Sequence, residues 1–175
     1  PHLIGIAAKI KYDDTGHIEL VRREFPWTTA AIGQKQPAMN PEPGVTNFGR
    51  ADQWQNLAHN YDQVIKMHSP ISPQASSWAF DTDRTPAELT AMLKEYINNY
   101  MTRYASDSRI TWTDVVSETQ NSKVDPPASW RKDGSGWAMP WYKIGLDSNG
   151  VPSYVRLAFQ EAEPYHGNIK FLWDE

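Results

Sequence analysis

Two hydrophobic patterns alternate along the chain and predict alternating strands and helices. Short apolar runs predict strands at residues 3–8, 25–32, 62–68, 110–117 and 169–173. Between these runs, apolar residues recur at the spacing of one helix face. Strands that alternate with helices are typical of βα units, so the pattern favours an α/β fold with a parallel sheet.

The helical pattern is clearest after Thr85. Thr85 is a suitable N-cap, Pro86 suits the first helical position, and Glu88 completes a capping box. The apolar face then repeats every 3.6 residues over about four turns; it consists of Leu89, Met92, Leu93, Tyr96, Ile97, Tyr100, Met101 and Tyr104. Further helices are predicted at residues 17–24, at about 48–61, and from about Pro152 to Pro164.

Two architectures fit this order of elements: an open doubly wound sheet and the beginning of an eight-stranded barrel. A nucleotide-binding open sheet usually has a glycine-rich turn after its first strand, whereas residues 9–13 are Lys-Ile-Lys-Tyr-Asp. Long loops follow the second, third and fourth strands, at the edge where barrel enzymes carry their active sites. We therefore predict a single domain over residues 1–175, of TIM (β/α)8-barrel type, with about five of the eight βα units.

Composition narrows the functional classes. A net charge of −4 disfavours a nucleic-acid partner. The absence of cysteine excludes disulfides, thiolate catalysis and cysteine-bound zinc. The histidines are scattered without ligand spacing, so no metal and no cofactor are predicted. No apolar run approaches the roughly 18 residues of a membrane span. Eight Trp and eight Tyr suit either an aromatic core or a groove for sugar rings.

Three residues could carry chemistry at the carboxyl ends of the predicted strands. Glu118 follows the fourth strand, where a general acid would lie in a barrel, although a solvated loop carboxylate fits the position equally. His68 ends the third strand, and Lys35 lies in the loop after the second. Taken alone, the position of His68 favours a structural hydrogen bond, and that of Lys35 favours an ordinary surface lysine.

Residues 85–118 resemble glycoside hydrolase family 10, the endo-β-1,4-xylanases. That family has a helix beginning T-x-x-E-L and a strand W-D-V-V-N-E, whose glutamate is the acid/base; residues 114–118 here are Asp-Val-Val-Ser-Glu. Other loose matches follow in order over nearly the whole chain, among them Phe25, Thr29, Pro41, Gly44, Lys66-Met67-His68 and Lys170. The resemblance implies that Glu118 is the catalytic acid/base. It also implies that the sugar is bound by Lys35, His68, Ser117 and Trp78.

The chain departs from the family pattern at several sugar-binding positions. Ala31-Ile32 replace a Glu-Asn pair, Gln36 replaces a Trp, Ser72-Pro73 replace Trp-His, and Ser117 replaces the Asn before the acid/base. The family's nucleophilic Glu belongs to strand seven, which these residues do not include. We therefore expect the isolated chain to lack a nucleophile, and a second chain or copy to complete the barrel.

The function implied by the resemblance is retaining hydrolysis of a β-1,4-linked polysaccharide of the xylan class, by a secreted or periplasmic protein. Two alternatives stay open. One is a non-catalytic carbohydrate-binding remnant of the same fold. The other is an unrelated α/β interaction domain, which strands out of sequential parallel order would indicate.

Overall fold

One five-stranded parallel sheet forms the centre of the molecule. The computed structural model describes residues 4–8, 15–31, 33–121, 123, 129–132, 137–167 and 169–175. The strands are β1 (Gly5–Ala8), β2 (Trp27–Ala30), β3 (Val64–Met67), β4 (Ile110–Ser117) and β5 (Lys170–Asp174). They lie in the order β1-β2-β3-β4-β5, and each pairs in parallel with the next. This sequential order confirms the prediction of βα units and argues against the unrelated α/β domain.

Helices connect the successive strands. They are α1 (Thr15–Glu24), α2 (Gln36–Met39), α3 (Gly49–Tyr61), α4 (Pro86–Tyr104) and α5 (Ser153–Ala162), with 3-10 turns at Ser77–Phe80, Pro140–Ile144 and Glu163–Tyr165. The bounds of β4 are those predicted, β5 is shifted by one residue from its predicted run, and β1, β2 and β3 are shorter than their apolar runs. The short α2 and the 3-10 turns were not predicted, because a single turn is too short to show a hydrophobic period. Residues 1–3, 9–14 and 32, which fall in or beside predicted strands, lie outside the described residues.

The capping box at the start of α4 is confirmed. The Oγ1 of Thr85 accepts from the Glu88 N–H at 3.2 Å, and the Glu88 carboxylate accepts from the Thr85 N–H at 2.8 Å. The predicted apolar face is buried, except that Met92 is only partly covered. The Tyr100 hydroxyl lies 2.9 Å from the Thr113 hydroxyl, which ties α4 to β4. The capping box thus fixes the start of α4, and the Tyr100–Thr113 contact holds α4 against β4, the strand that immediately precedes Glu118.

The two faces of the sheet differ in character. Ile65 and Met67 of β3 are fully buried in the core beneath the helices. Successive side chains of a strand point to opposite faces, so Lys66 lies on the other, inner face. On that face the rings of Trp27 and Trp112 lie with their centroids 3.8 Å apart. The inner face therefore combines aromatic rings with a charged group, Lys66, which lies near the carboxyl end of β3.

Candidate active site

The carboxyl ends of the parallel strands meet at one edge of the sheet. His68 directly follows β3, Glu118 directly follows β4, and Asp174 ends β5. The loop after β2 joins this edge through Gln34, whose side-chain oxygen accepts from the His68 N–H at 3.1 Å. Lys35 comes next in that loop. Sequential parallel order thus brings side chains from four strand ends to the same edge.

A buried carboxylate organises the centre of this edge. The Oδ2 atom of Asp114 lies 2.8 Å from His68 Nδ1 and 2.9 Å from Lys66 Nζ. Asp174 lies further out, 3.9 Å from His68 Nδ1 and 3.8 Å from Lys66 Nζ. The Asp114 side chain is 0% exposed, and its Oδ1 makes no hydrogen bond with any described residue. Buried charges are retained when paired, so Lys66 and His68 compensate the burial of Asp114.

The same residues have the composition of a metal site. One ligand atom each from His68, Asp114 and Asp174 lies within 4.8 Å of the others. However, the Lys66 ammonium already lies against both carboxylates. A divalent cation placed there would meet a like charge, so the arrangement suits an internal ion-pair network better than a metal centre.

Glu118 has an unusual backbone and a free carboxylate oxygen. Its φ of 54° lies in the left-handed region, which non-glycine residues rarely adopt. Its N–H donates to the carbonyl of Asp174 at 2.8 Å, which holds the residue in place. Its Oε2 is buried without a hydrogen-bond partner among the described residues. Strained backbone clusters at functional sites, and an unpartnered buried oxygen can receive a ligand group.

Lys35 lies in the same electrostatic environment. It is 7% exposed, and burial lowers the pKa of its ammonium, while the charges of Glu118 and Asp174 act in the opposite direction. The structure thus brings Lys35, His68 and Glu118 to one edge, linked through Asp174. Their predicted roles toward a sugar remain proposals.

The other two predicted binding residues have internal partners. The Ser117 hydroxyl lies 2.7 Å from the Ser69 hydroxyl, and both residues are fully buried. Trp78 is 9% exposed, its indole N–H donates to the carbonyl of Asn40 at 3.0 Å, and its ring meets Trp141 edge-on. Neither polar group is free to meet a ligand in this arrangement.

Two cavities adjoin this edge. A cavity of about 550 Å³ is lined by Lys35, Pro37, Ala38, Pro41, Asn47, Arg50 and Gln74. A second, of about 620 Å³, is lined by Glu118, Gln120, Asn121, Lys123, Arg131, Trp137 and Glu175. Lys35 borders the first and Glu118 the second, and these two charges act on each other.

Comparison with known proteins identifies the family. The sequence profile of glycosyl hydrolase family 10 matches residues 2–175. The chain belongs to this family. The resemblance found in the sequence is thereby confirmed.

Curated relatives of this family 10 chain are fungal endo-1,4-β-xylanases. Endo-1,4-β-xylanase A of Humicola insolens is 26% identical over 94% of the chain and 40% of the relative. Endo-1,4-β-xylanase A of Phanerodontia chrysosporium is 30% identical over 86% of the chain and 33% of the relative. The chain thus spans about a third to two fifths of the length of these relatives.

Solved structures of family 10 xylanases share the fold. The enzyme of Bispora sp. MEY-1, determined with xylobiose, superposes with a TM-score of 0.80 at 24% identity, over 97% of this chain and 50% of that one. Xylanase 10B of Thermotoga maritima gives 0.77 at 23% identity, over 97% and 49%. The fold is therefore of TIM-barrel type, and the described strands correspond to five of its eight βα units.

The sequence prediction of the site missed three members of the charged network. Lys66, Asp114 and Asp174 were not proposed as site residues, although each lies in a motif that resembles the family. A signal was present, because Lys66 and His68 are two residues apart and so share a strand face. Asp114 is likewise a charge inside an otherwise uncharged strand.

Proposed function

We propose that this family 10 chain forms the amino-terminal part of a retaining glycosidase that hydrolyses β-1,4-linked xylan, with Glu118 as general acid and then general base. The observation that carries this proposal is the buried Oε2 of Glu118, which has no hydrogen-bond partner among the described residues. Glu118 lines the second cavity and interacts electrostatically with Lys35. The relatives named endo-1,4-β-xylanases support the same reaction. So does the structural neighbour determined with xylobiose.

In this proposal Glu118 handles the proton. Its protonated carboxyl donates to the glycosidic oxygen as the bond breaks, and its carboxylate then accepts a proton from the attacking water. His68 and Lys35 orient the sugar at the cleavage point. When Nδ1–H of His68 donates to Asp114, its Nε2 is left to accept from a sugar hydroxyl. The Lys35 ammonium donates to another hydroxyl.

The remaining predicted residues have supporting roles. The Ser117 hydroxyl contacts the sugar only by exchanging its bond with Ser69. Trp78 packs beneath the loop after β2 through its bond to Asn40, and so supports the site from within. Trp137 is 53% exposed beside the second cavity, with the Arg131 guanidinium 6.0 Å from its ring. An exposed indole beside the acid suits stacking of the leaving sugar.

Retention requires a second carboxylate about 5–5.5 Å from the first. We propose that the nucleophile comes from the strands that close the barrel between β5 and β1. These strands belong either to further residues of the same polypeptide or to a second chain or copy. Residues 1–175 then act as one part of a single barrel domain. Because xylan lies outside cells, we propose a secreted or periplasmic location. None of the described helices is both long and apolar enough to span a membrane.

The second candidate function is carbohydrate binding without catalysis. The Ser117 hydroxyl, placed where the family has an asparagine, is engaged by Ser69, which favours a carbohydrate-binding protein without catalysis. Such a protein would bind oligosaccharide and release no sugar.

An assay of xylan hydrolysis by the natural full-length protein distinguishes the two candidate functions. Glu118→Gln should lower kcat by about 10²–10⁴-fold, because general acid–base catalysis contributes that factor. The matched control is Glu95→Gln, at an exposed position of α4, which should retain the wild-type rate. Equal rates in the wild type and Glu118→Gln would remove Glu118 from the reaction. Oligosaccharide binding with no sugar released by the wild type would favour the second candidate.

A further inference from the structure

The backbone around Glu118 is held by the end of β5 and by the residue that follows it. The Glu118 N–H donates to the carbonyl of Asp174 at 2.8 Å. The next two N–H groups donate to one carboxylate: that of Thr119 to Glu175 Oε1 at 3.0 Å, and that of Gln120 to Glu175 Oε2 at 3.2 Å. Hydrogen bonds to an ionised acceptor are stronger than neutral ones. Glu175 thus binds the two backbone donors that directly follow Glu118.

Side chains add to the contacts of the Glu175 carboxylate. Its Oε1 also accepts from the Thr119 hydroxyl, and from the indole N–H of Trp173 at 2.6 Å. The Trp173 ring stacks on that of Trp130, with the centroids 6.1 Å apart and 15° between the planes. Thr119 is 0% exposed, and its carbonyl accepts from the Arg131 N–H at 2.8 Å. The segment after β4 is therefore fastened to the end of β5 through Glu175.

The backbone of Glu118 needs such support because its conformation is unfavourable. Its φ of 54° brings the β-carbon too close to the backbone, which only glycine avoids at no cost. A conformation of this kind persists only where the surrounding structure over-determines it. The backbone conformation of Glu118 also sets the direction in which its side chain leaves the strand end. Without the Glu175 carboxylate, the peptide after Glu118 could relax and its carboxyl group would move.

We propose that Glu175 is a positioning residue for the proton transfer assigned to Glu118, and that it acts through the N–H groups of Thr119 and Gln120. The inference rests on the proposed function, which supplies the role of Glu118. Both carboxylates line the same cavity of about 620 Å³. Each oxygen of Glu175 already accepts from the protein, however, so its contacts are with the backbone beside Glu118. Misplacing a reacting group by about 1 Å can cost about 10²-fold in rate.

Steady-state kinetics of the natural full-length protein on two substrates tests the proposal. Cleavage of xylan needs a proton on the leaving sugar, whereas a dinitrophenyl β-xylobioside releases a weakly basic phenolate that leaves without one. Glu175→Ala should lower kcat/KM on xylan by about 10²-fold and leave kcat/KM on the dinitrophenyl substrate unchanged. On that second substrate kcat and KM should fall together, because the attack of water still needs Glu118 as base.

Two further variants test whether the loss follows the hydrogen bonds. Glu175→Gln keeps one oxygen as an acceptor, so its loss of kcat/KM on xylan should be smaller than that of Glu175→Ala. The control Glu163→Ala removes a carboxylate at an exposed position in the turn Glu163–Tyr165, and it should match the wild type on both substrates. Thermal unfolding of each variant shows whether the fold is intact.

Two results would overturn the proposal: wild-type kinetics of Glu175→Ala on xylan, or an equal loss of kcat/KM on the two substrates. The second would indicate that Glu175 supports the fold rather than the proton transfer.

The variant Glu118→Gln, assayed on the same two substrates, separates this inference from the proposed function. If Glu118→Gln loses activity selectively on xylan and Glu175→Ala does not, only the positioning role fails. If Glu118→Gln keeps the wild-type rate on xylan, or if the wild type hydrolyses neither substrate, the proposed function fails and the positioning role fails with it.

Discussion

His68 Nδ1 lies 2.8 Å from Oδ2 of Asp114, a carboxylate that is completely buried at the carboxyl edge of the sheet. The same oxygen lies 2.9 Å from Lys66 Nζ. This contact fixes which imidazole nitrogen faces inward and which is left for a ligand. In the proposed function, Asp114 is therefore a positioning residue that acts on the substrate through His68.

Replacing Asp114 with Asn separates that role from simple packing. Asp114→Asn keeps the shape but removes the charge that compensates Lys66 and weakens the acceptor for His68 Nδ1–H. We expect the free energy of unfolding to fall by about 1–3 kcal/mol. We also expect kcat/KM on xylan to fall by about 10²-fold as His68 loses its orientation. Urea unfolding and steady-state kinetics measure the two effects. Asp83→Asn, at an exposed position, is the control; a variant at Asp114 with wild-type kinetics would contradict the positioning role.

Lys35 should destabilise the protein at neutral pH. Burial lowers the pKa of its ammonium, so between that lowered pKa and 10.5 the unfolded chain binds more protons than the folded one. Stability of the wild type relative to Lys35→Met therefore rises with pH through that window, and is lowest below it. We expect Lys35→Met to be more stable near pH 7, by about 1 kcal/mol or less, and to lose activity.

Thermal unfolding across pH 7–10.5 checks this expectation for Lys35. Lys94→Met, which breaks an exposed ion pair with Glu161, should show little change in stability at any of these pH values. A Lys35→Met protein that is less stable than the wild type at pH 7 would contradict the expected sign.

Ser117 makes a polar contact with Ser69 at a fully buried position. Ser117→Ala leaves the buried Ser69 hydroxyl without its partner, which costs about 1–3 kcal/mol. Ser117→Asn adds volume at a fully buried position and should also cost about 1–3 kcal/mol. Chemical unfolding of both variants is the measurement. A fully stable Ser117→Asn protein would show that the surroundings accommodate the longer side chain.

Trp137 is expected to act on binding rather than on the bond-breaking step. Its indole is half exposed beside the Glu118 cavity, and its φ of 61° is costly for a bulky side chain. Trp137→Ala should raise KM for xylo-oligosaccharides by about tenfold, as stacking is lost. Trp137→Phe should restore most of the affinity. A change confined to kcat would point to a role in the chemistry instead.

The capping box of α4 provides a prediction about stability alone. Thr85→Ala should lower the free energy of unfolding by about 1 kcal/mol, with unchanged kinetics, because the Glu88 N–H loses its acceptor. Thr90→Ala is the matched control on the same helix. Its hydroxyl bonds only the carbonyl of Pro86, and alanine is the better helix former. A larger loss in Thr90→Ala than in Thr85→Ala would refute the capping argument.

Much of the fold could be predicted because its signals are local. The bounds of β4 and the start and buried face of α4 follow from hydrophobic spacing and from one capping box. The four-residue α2 was not predicted because a single helical turn is too short to show a repeating hydrophobic pattern. The strand order was predicted as sequential from the βα alternation, since such units favour pairing with the next strand.

Short sequence motifs were enough to suggest the family, and the resemblance then implied roles for Lys35, His68 and Glu118. Chain order along a parallel sheet was enough to expect them at one edge. The partners of these residues depended on three-dimensional packing. Asp114 meets His68 across 46 positions of sequence, and the contact exists because β3 and β4 pair in one particular register. Burial of Lys35 and the bonding of Ser117 and Trp78 to other residues likewise depend on distant segments packing together, which no local pattern specifies.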